Sequence, residues 1–72
     1  MVNVIIGKKI HDLRIIKTGM SQESFAKSIG LDRTYLSRVE SGKQNLTMKS
    51  LQLIVNSFGM TLKDFFDEIQ VL

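Results

Sequence analysis

Apolar residues recur along this chain at intervals of three and four, and no stretch alternates strictly enough to predict a strand. Ile6, Ile10, Leu13 and Ile16 or Lys17 trace a first helical stripe that stops at Thr18-Gly19, where glycine suits a left-handed C-terminal cap. Ser21 predicts the N-cap of a short second helix, with Glu23 in a first turn whose dipole favours negative charge. Phe25, Ala26 and Ile29 form its inner face, and Gly30 ends it. Asp32 caps a third helix, Arg33 to about Ser41, with Leu36 and Val39 inward and Gly42 closing it. After a loop through Lys43-Gln44-Asn45-Leu46, Thr47 caps a fourth helix carrying Leu51, Ile54, Val55 and Phe58, with Gly59 as its stop. Thr61 caps a fifth, over about 61–70, with Asp64 placed as in a capping box and Leu62, Phe65, Phe66, Ile69 and Leu72 as its apolar residues. The pattern predicts an all-α fold: one domain over 1–72, a compact five-helix bundle with no linker.

A chain of 72 residues buries only about 60% of the surface its unfolded form exposes, so its core is small. It has no cysteine, which excludes disulfides and thiolate cages, and a single histidine, His11, which argues against an imidazole-built metal site. No metal or other cofactor is expected. Good helix packing and self-association remain as sources of stability. No apolar run approaches the roughly 20 residues of a membrane span, and the apolar start, Val2 to Ile6, lacks a basic region before it. We therefore expect no signal peptide, no membrane partner and a cytoplasmic location.

The net charge of +3 is unevenly spread. Residues 1–50 carry nine Lys/Arg against four Asp/Glu (+5), whereas residues 51–72 carry Lys63 against Asp64, Asp67 and Glu68 (−2). A basic front with an acidic tail suits a polyanionic partner for the first two thirds.

Chemistry concentrates between Ser21 and Ser41, where two short helices are joined by a turn of about four residues containing Gly30. That is helix-turn-helix spacing, although any helical hairpin in a small bundle shares it. Glycine permits the tight turn, Ala26 permits a close crossing, and Leu31 and Leu36 fasten the turn and second helix to the core. The outward side of helix three distinguishes this hairpin. Arg33, Thr34, Ser37 and Arg38 cluster there, as base-contact residues do on a recognition helix in the major groove. The competing reading is a solvated polar face, which fits less well with two arginines and several hydroxyls at one helix start. Tyr35 is placed to touch a sugar-phosphate or stack on Arg33. Gln22, Lys43, Gln44, Asn45 and Lys49 sit on flanking segments as candidate contacts to phosphate. Each is ordinary alone, and their grouping carries the inference.

These residues bring a resemblance into view. The run IGKKIHDLRIIKTGMSQESFAKSIGLDRTYLSRVESGKQNLTMKSLQLI, residues 6–54, resembles the Cro/repressor (Xre-type) helix-turn-helix family, and Leu31 to Ser37 look most like the controller proteins of restriction–modification systems. The resemblance implies a lambda-repressor-like DNA-binding domain that dimerises through its C-terminal helix. It also implies a structural ion pair, Arg14–Glu40, which removes both residues from the DNA-contact set. Two departures from the family stand out. Arg38 occupies a position often held by a small residue, and Leu46 replaces a common proline, which bears on the rigidity of its loop.

One short helix reads too few base pairs to select a genomic site, whereas a dimer places two about 34 Å apart on a pseudo-palindrome. Phe65, Phe66 and Ile69 on helix five are the expected dimer contacts, because that helix carries more apolar surface than a small core can hide. The expected function is an autoregulatory transcription regulator binding double-stranded operator DNA as a homodimer, with RNA polymerase as a further partner in activation. A phage-type repressor, an antitoxin or a protein-interaction module without DNA binding are the alternatives. An enzyme is not expected: His11 and Asp12 diverge by about 100° around the helix, and no glycine-rich phosphate loop follows a strand.

Overall fold

The computed structural model describes residues 2–69. Among them run five α-helices and one π-helical turn: α1 Val2–Leu13, the π turn Arg14–Thr18, α2 Gln22–Ile29, α3 Arg33–Glu40, α4 Met48–Ser57 and α5 Leu62–Asp67. From α2 onward each helix starts at a side chain that accepts an orphan backbone N–H: Ser21 from Ser24, Asp32 from Tyr35, Thr47 from Ser50 and Thr61 from Asp64. Asp64 returns the favour to the Thr61 N–H at 3.2 Å, completing a capping box. Each cap contributes about 1 kcal/mol, a sizeable share of the stability of so small a domain.

Two elements differ from the expectation. The first helix begins at Val2, well before the predicted stripe, and its last turn widens into the π turn. The Gly19 N–H reaches back to the Arg14 carbonyl at 3.1 Å, five residues away, which marks the wider turn. Arg14 takes the buried position, whereas Ile16, expected on the inner stripe, is 77% exposed. The fifth helix ends at Asp67 rather than near residue 70, so Ile69 follows the helix instead of lying on its face. Leu72, read as part of that helix, lies outside the described residues.

The core is built from every helix. Ile10 and Leu13 of α1, Phe25 and Ala26 of α2, Leu36 and Val39 of α3, and Leu51, Ile54 and Val55 of α4 are buried together with Phe58, Met60 and Phe65. Phe25 stacks on Phe58 with ring centroids 5.4 Å apart, fastening α2 to the end of α4. Helix α3 packs against both α1 and α2, so its orientation is set from two sides. The crossing with α1 depends on Gly7, whose missing side chain leaves room for the Val39 and Glu40 carbonyls. No described helix is long and apolar enough to cross a membrane.

Candidate nucleic-acid interface

Helix α2, the turn at Gly30 and helix α3 form a helix-turn-helix. Gly30 ends α2 in the left-handed region (φ 75°), and the Leu31 N–H returns to the Ala26 carbonyl at 2.8 Å. The chain thereby reverses within three residues, and Asp32 opens α3 at once. Leu36 and Val39 bury the inner side of α3. Periodicity therefore turns Arg33, Thr34, Ser37 and Arg38 outward, and the four line a single hollow of about 270 Å³. All four are exposed. The sequence expectation placed them on one face, and the structure brings them around one concave surface, rich in donors and hydroxyls, at the N-terminal and outer part of α3.

Tyr35 behaves differently. Its ring packs against the core, and its hydroxyl is buried with no hydrogen-bond partner among the described residues. In this DNA-free conformation the hydroxyl faces inward and not toward solvent.

Behind the outer face lies a polar hub that sequence reading found only in part. Arg14 and Glu40 form a two-bond ion pair, with Nε donating to Oε2 at 2.7 Å and Nη2 to Oε1 at 3.1 Å. Both side chains are nearly closed to water, at 7% and 3% exposure. Arg14 Nη1 also donates to the Met20 carbonyl at 2.6 Å, so one guanidinium joins the end of α1, the approach to α2 and the end of α3. Two further groups converge on Glu40 Oε1: Gln22 Nε2 donates at 2.9 Å, and His11 Nδ1 stands 3.0 Å away. Burial by itself would raise the Glu40 carboxyl, but the hydrogen bonds from Arg14, Gln22 and His11, with the Arg14 charge, hold it below the ordinary glutamate range. Gln22, expected on phosphate, is thus held by Glu40 at the first position of α2. An amide carries two N–H bonds, so this contact occupies one and leaves the other for an outside acceptor. No spacing rule could pair His11 or Gln22 with Glu40, since they lie 29 and 18 residues apart.

The remaining phosphate candidates divide. Lys43, Gln44 and Asn45 follow α3 directly, and Arg38 reaches them: its Nε donates to Gln44 Oε1 at 3.2 Å and its Nη2 to the Lys43 carbonyl at 3.1 Å. Lys49 instead lines a separate groove of about 510 Å³ on α4 with Gln52, Leu53 and Asn56.

The expected dimer contacts also divide. Phe65 is fully buried within the monomer, so it offers no surface to a partner; it belongs to the core. Ile69 is partly buried and lines a crevice against α1, where Lys9 pairs with Glu68 at 3.0 Å. Phe66 alone of the three is presented outward, at 43% exposure, edge-on to Phe65 at 5.4 Å. Leu53, which the sequence reading did not single out for this role, is exposed on α4.

A helix-turn-helix family profile matches residues 10–65. The chain is 44% identical to the control protein C.MunI of Mycoplasma sp. over 96% of its own length and 93% of that protein's. It is 33% identical to the control protein C.BamHI of Bacillus amyloliquefaciens, covering 92% and 82%. Among solved structures it resembles the restriction–modification controller protein C.Esp1396I, with a TM-score of 0.84 at 36% identity over 96% of this chain and 90% of that one. C.Esp1396I has also been solved as a tetramer in complex with its natural 35-base-pair operator. With its fold, its helix-turn-helix and nearly its full length matched, this chain belongs to the helix-turn-helix family of restriction–modification controller proteins.

Proposed function

We infer that this protein is a sequence-specific DNA-binding transcription regulator that binds a pseudo-palindromic operator as a homodimer, and that it serves as the autoregulatory controller of a restriction–modification system. The observation that carries this reading is the grouping of Arg33, Thr34, Ser37 and Arg38 around one outward hollow of α3. An arginine at the start of such a helix bonds guanine O6 and N7 with both arms of its fork, and the hydroxyls of Thr34 and Ser37 suit neighbouring base edges. Gln22 and the free N–H groups at the start of α2 suit phosphate on one side, and Lys43, Gln44 and Asn45 suit it on the other. Lys49 stands further off, as an added positive charge. The operator complexes of the structural relative C.Esp1396I support the same reading. Such a protein works in the cytoplasm, where activation of its own promoter would bring it against RNA polymerase.

The deciding experiment is binding of the purified protein to DNA from upstream of its own gene, against random duplex of equal length, across a salt series. Saturable binding that outcompetes random DNA and weakens steeply with salt is expected. Equal affinity for both duplexes would remove the sequence-specific reading.

A further inference from the structure

The loop after α3 carries neither regular structure nor proline, yet it is tied on both sides. Asn3 Nδ2 of α1 donates to Asn45 Oδ1 at 3.2 Å. Gly42 lies so close to Val4 that a Cβ there would stand 2.7 Å from the valine Cγ2. From the other side Arg38 sends two bonds into the loop, to Gln44 Oε1 and the Lys43 carbonyl, while the Lys43 N–H returns to the Arg38 carbonyl at 2.9 Å.

We propose that Arg38 is a positioning residue for DNA binding and not a reader of bases: its guanidinium fork holds the Lys43–Asn45 loop against the end of α3, in the arrangement that meets phosphate. The proposal rests on the DNA-binding reading above. Two features carry it. The Nε and Nη2 groups occupied by the loop form one edge of the guanidinium, the paired geometry that a guanine would otherwise engage. And a loop ordered before docking loses less conformational entropy on the DNA than one that must be ordered there. Arg38 lines the same hollow as Arg33, Thr34 and Ser37, but as the wall nearest the loop.

Arg38→Lys separates the brace from the charge, because lysine keeps the charge and loses the fork. Gln44→Ala removes one acceptor and leaves every charge in place. Two measurements suffice: backbone amide order parameters of residues 43–45 in the DNA-free protein, and affinity for the upstream duplex and for random duplex. Both variants are expected to lower the order parameters in the loop alone. Both should weaken binding to the two duplexes by one common factor, roughly threefold to tenfold, as for loss of one ordinary solvent-exposed hydrogen bond. Combining them should add little to either alone, since they cut the same connection. An unchanged loop in Arg38→Lys overturns the proposal. So does a loss confined to the upstream duplex, which would make Arg38 a base reader. If the wild-type protein shows no preference for the upstream duplex, the DNA reading has failed instead, and the order parameters still decide whether Arg38 braces the loop.

Discussion

Glu40 shows how much one side chain organises here. Four donor contacts meet its two oxygens, and removing any of them costs differently. Exposed pairs such as Lys8–Asp12 and Lys63–Asp67 contribute about 0–1 kcal/mol each. Arg14 and Glu40 are buried, so deleting one charge strands the other at a cost of about 3–5 kcal/mol. Glu40→Gln should therefore destabilise the protein by roughly that amount at neutral pH, read by urea unfolding. The pH dependence follows from the depressed carboxyl. A group whose folded pKa lies below its unfolded value stabilises fully above the unfolded value, and that contribution disappears as pH falls through the folded one. The wild type should thus lose its advantage over Glu40→Gln as pH drops below the ordinary glutamate range, and parallel curves for the two proteins would refute the role. At the outer face, Arg33→Ala should cost about 1–3 kcal/mol on the specific site, with random DNA far less affected. Unchanged operator affinity would disprove its place in the groove.

At the scale of elements, the recognition helix is aimed by its packing against α1 and α2. Gly7 sits at the α1 crossing, where an added Cβ would overlap the Val39 carbonyl oxygen and stand 3.0 Å from that of Glu40. Alanine in place of a mid-helix glycine gains up to about 1 kcal/mol of helix propensity, whereas forcing packed elements apart costs about 1–3 kcal/mol. The second effect wins, because both obstacles are backbone atoms that move only with their helix. Gly7→Ala should lower the melting temperature, and a more stable variant would show that the crossing is looser than described. Arg14 works at the same scale: four residues after buried Ile10 it lies on the inner side of the first helix, and its guanidinium reaches Glu40 and the Met20 carbonyl together.

The molecule as a whole measures 33 × 24 × 21 Å. Two such bodies side by side span the roughly 34 Å between successive major-groove faces of one side of DNA, which suits the proposed dimer. Three large apolar residues are exposed on the two C-terminal helices, Met48, Leu53 and Phe66, and Phe66 with Leu53 suits the dimer contact. Phe66→Ala should leave the monomer folded, since the ring is nearly half exposed, and should weaken self-association by at least about 2 kcal/mol, as loss of a central aromatic anchor does. Sedimentation at micromolar concentration measures this. An unaltered monomer–dimer distribution would place the interface elsewhere.

The features legible in the chain alone are local ones. Caps and stops act within one turn of chain, so Ser21, Asp32, Thr47 and Thr61 marked four helix starts, and the polar outer side of α3 was legible from the inward spacing of Leu36 and Val39. The Arg14–Glu40 pair was legible only through resemblance to a family. Whatever depends on two distant segments meeting came from the packing of the helices. Periodicity says that a residue faces inward without saying against what, so His11 and Gln22 joined Glu40 unannounced, and Arg38, outward by its spacing, turned to the loop. It also cannot separate a core residue from an interface residue: Phe65 and Phe66 are neighbours of one chemistry, and only the packing of α5 on α4 buried the first and left the second at the surface.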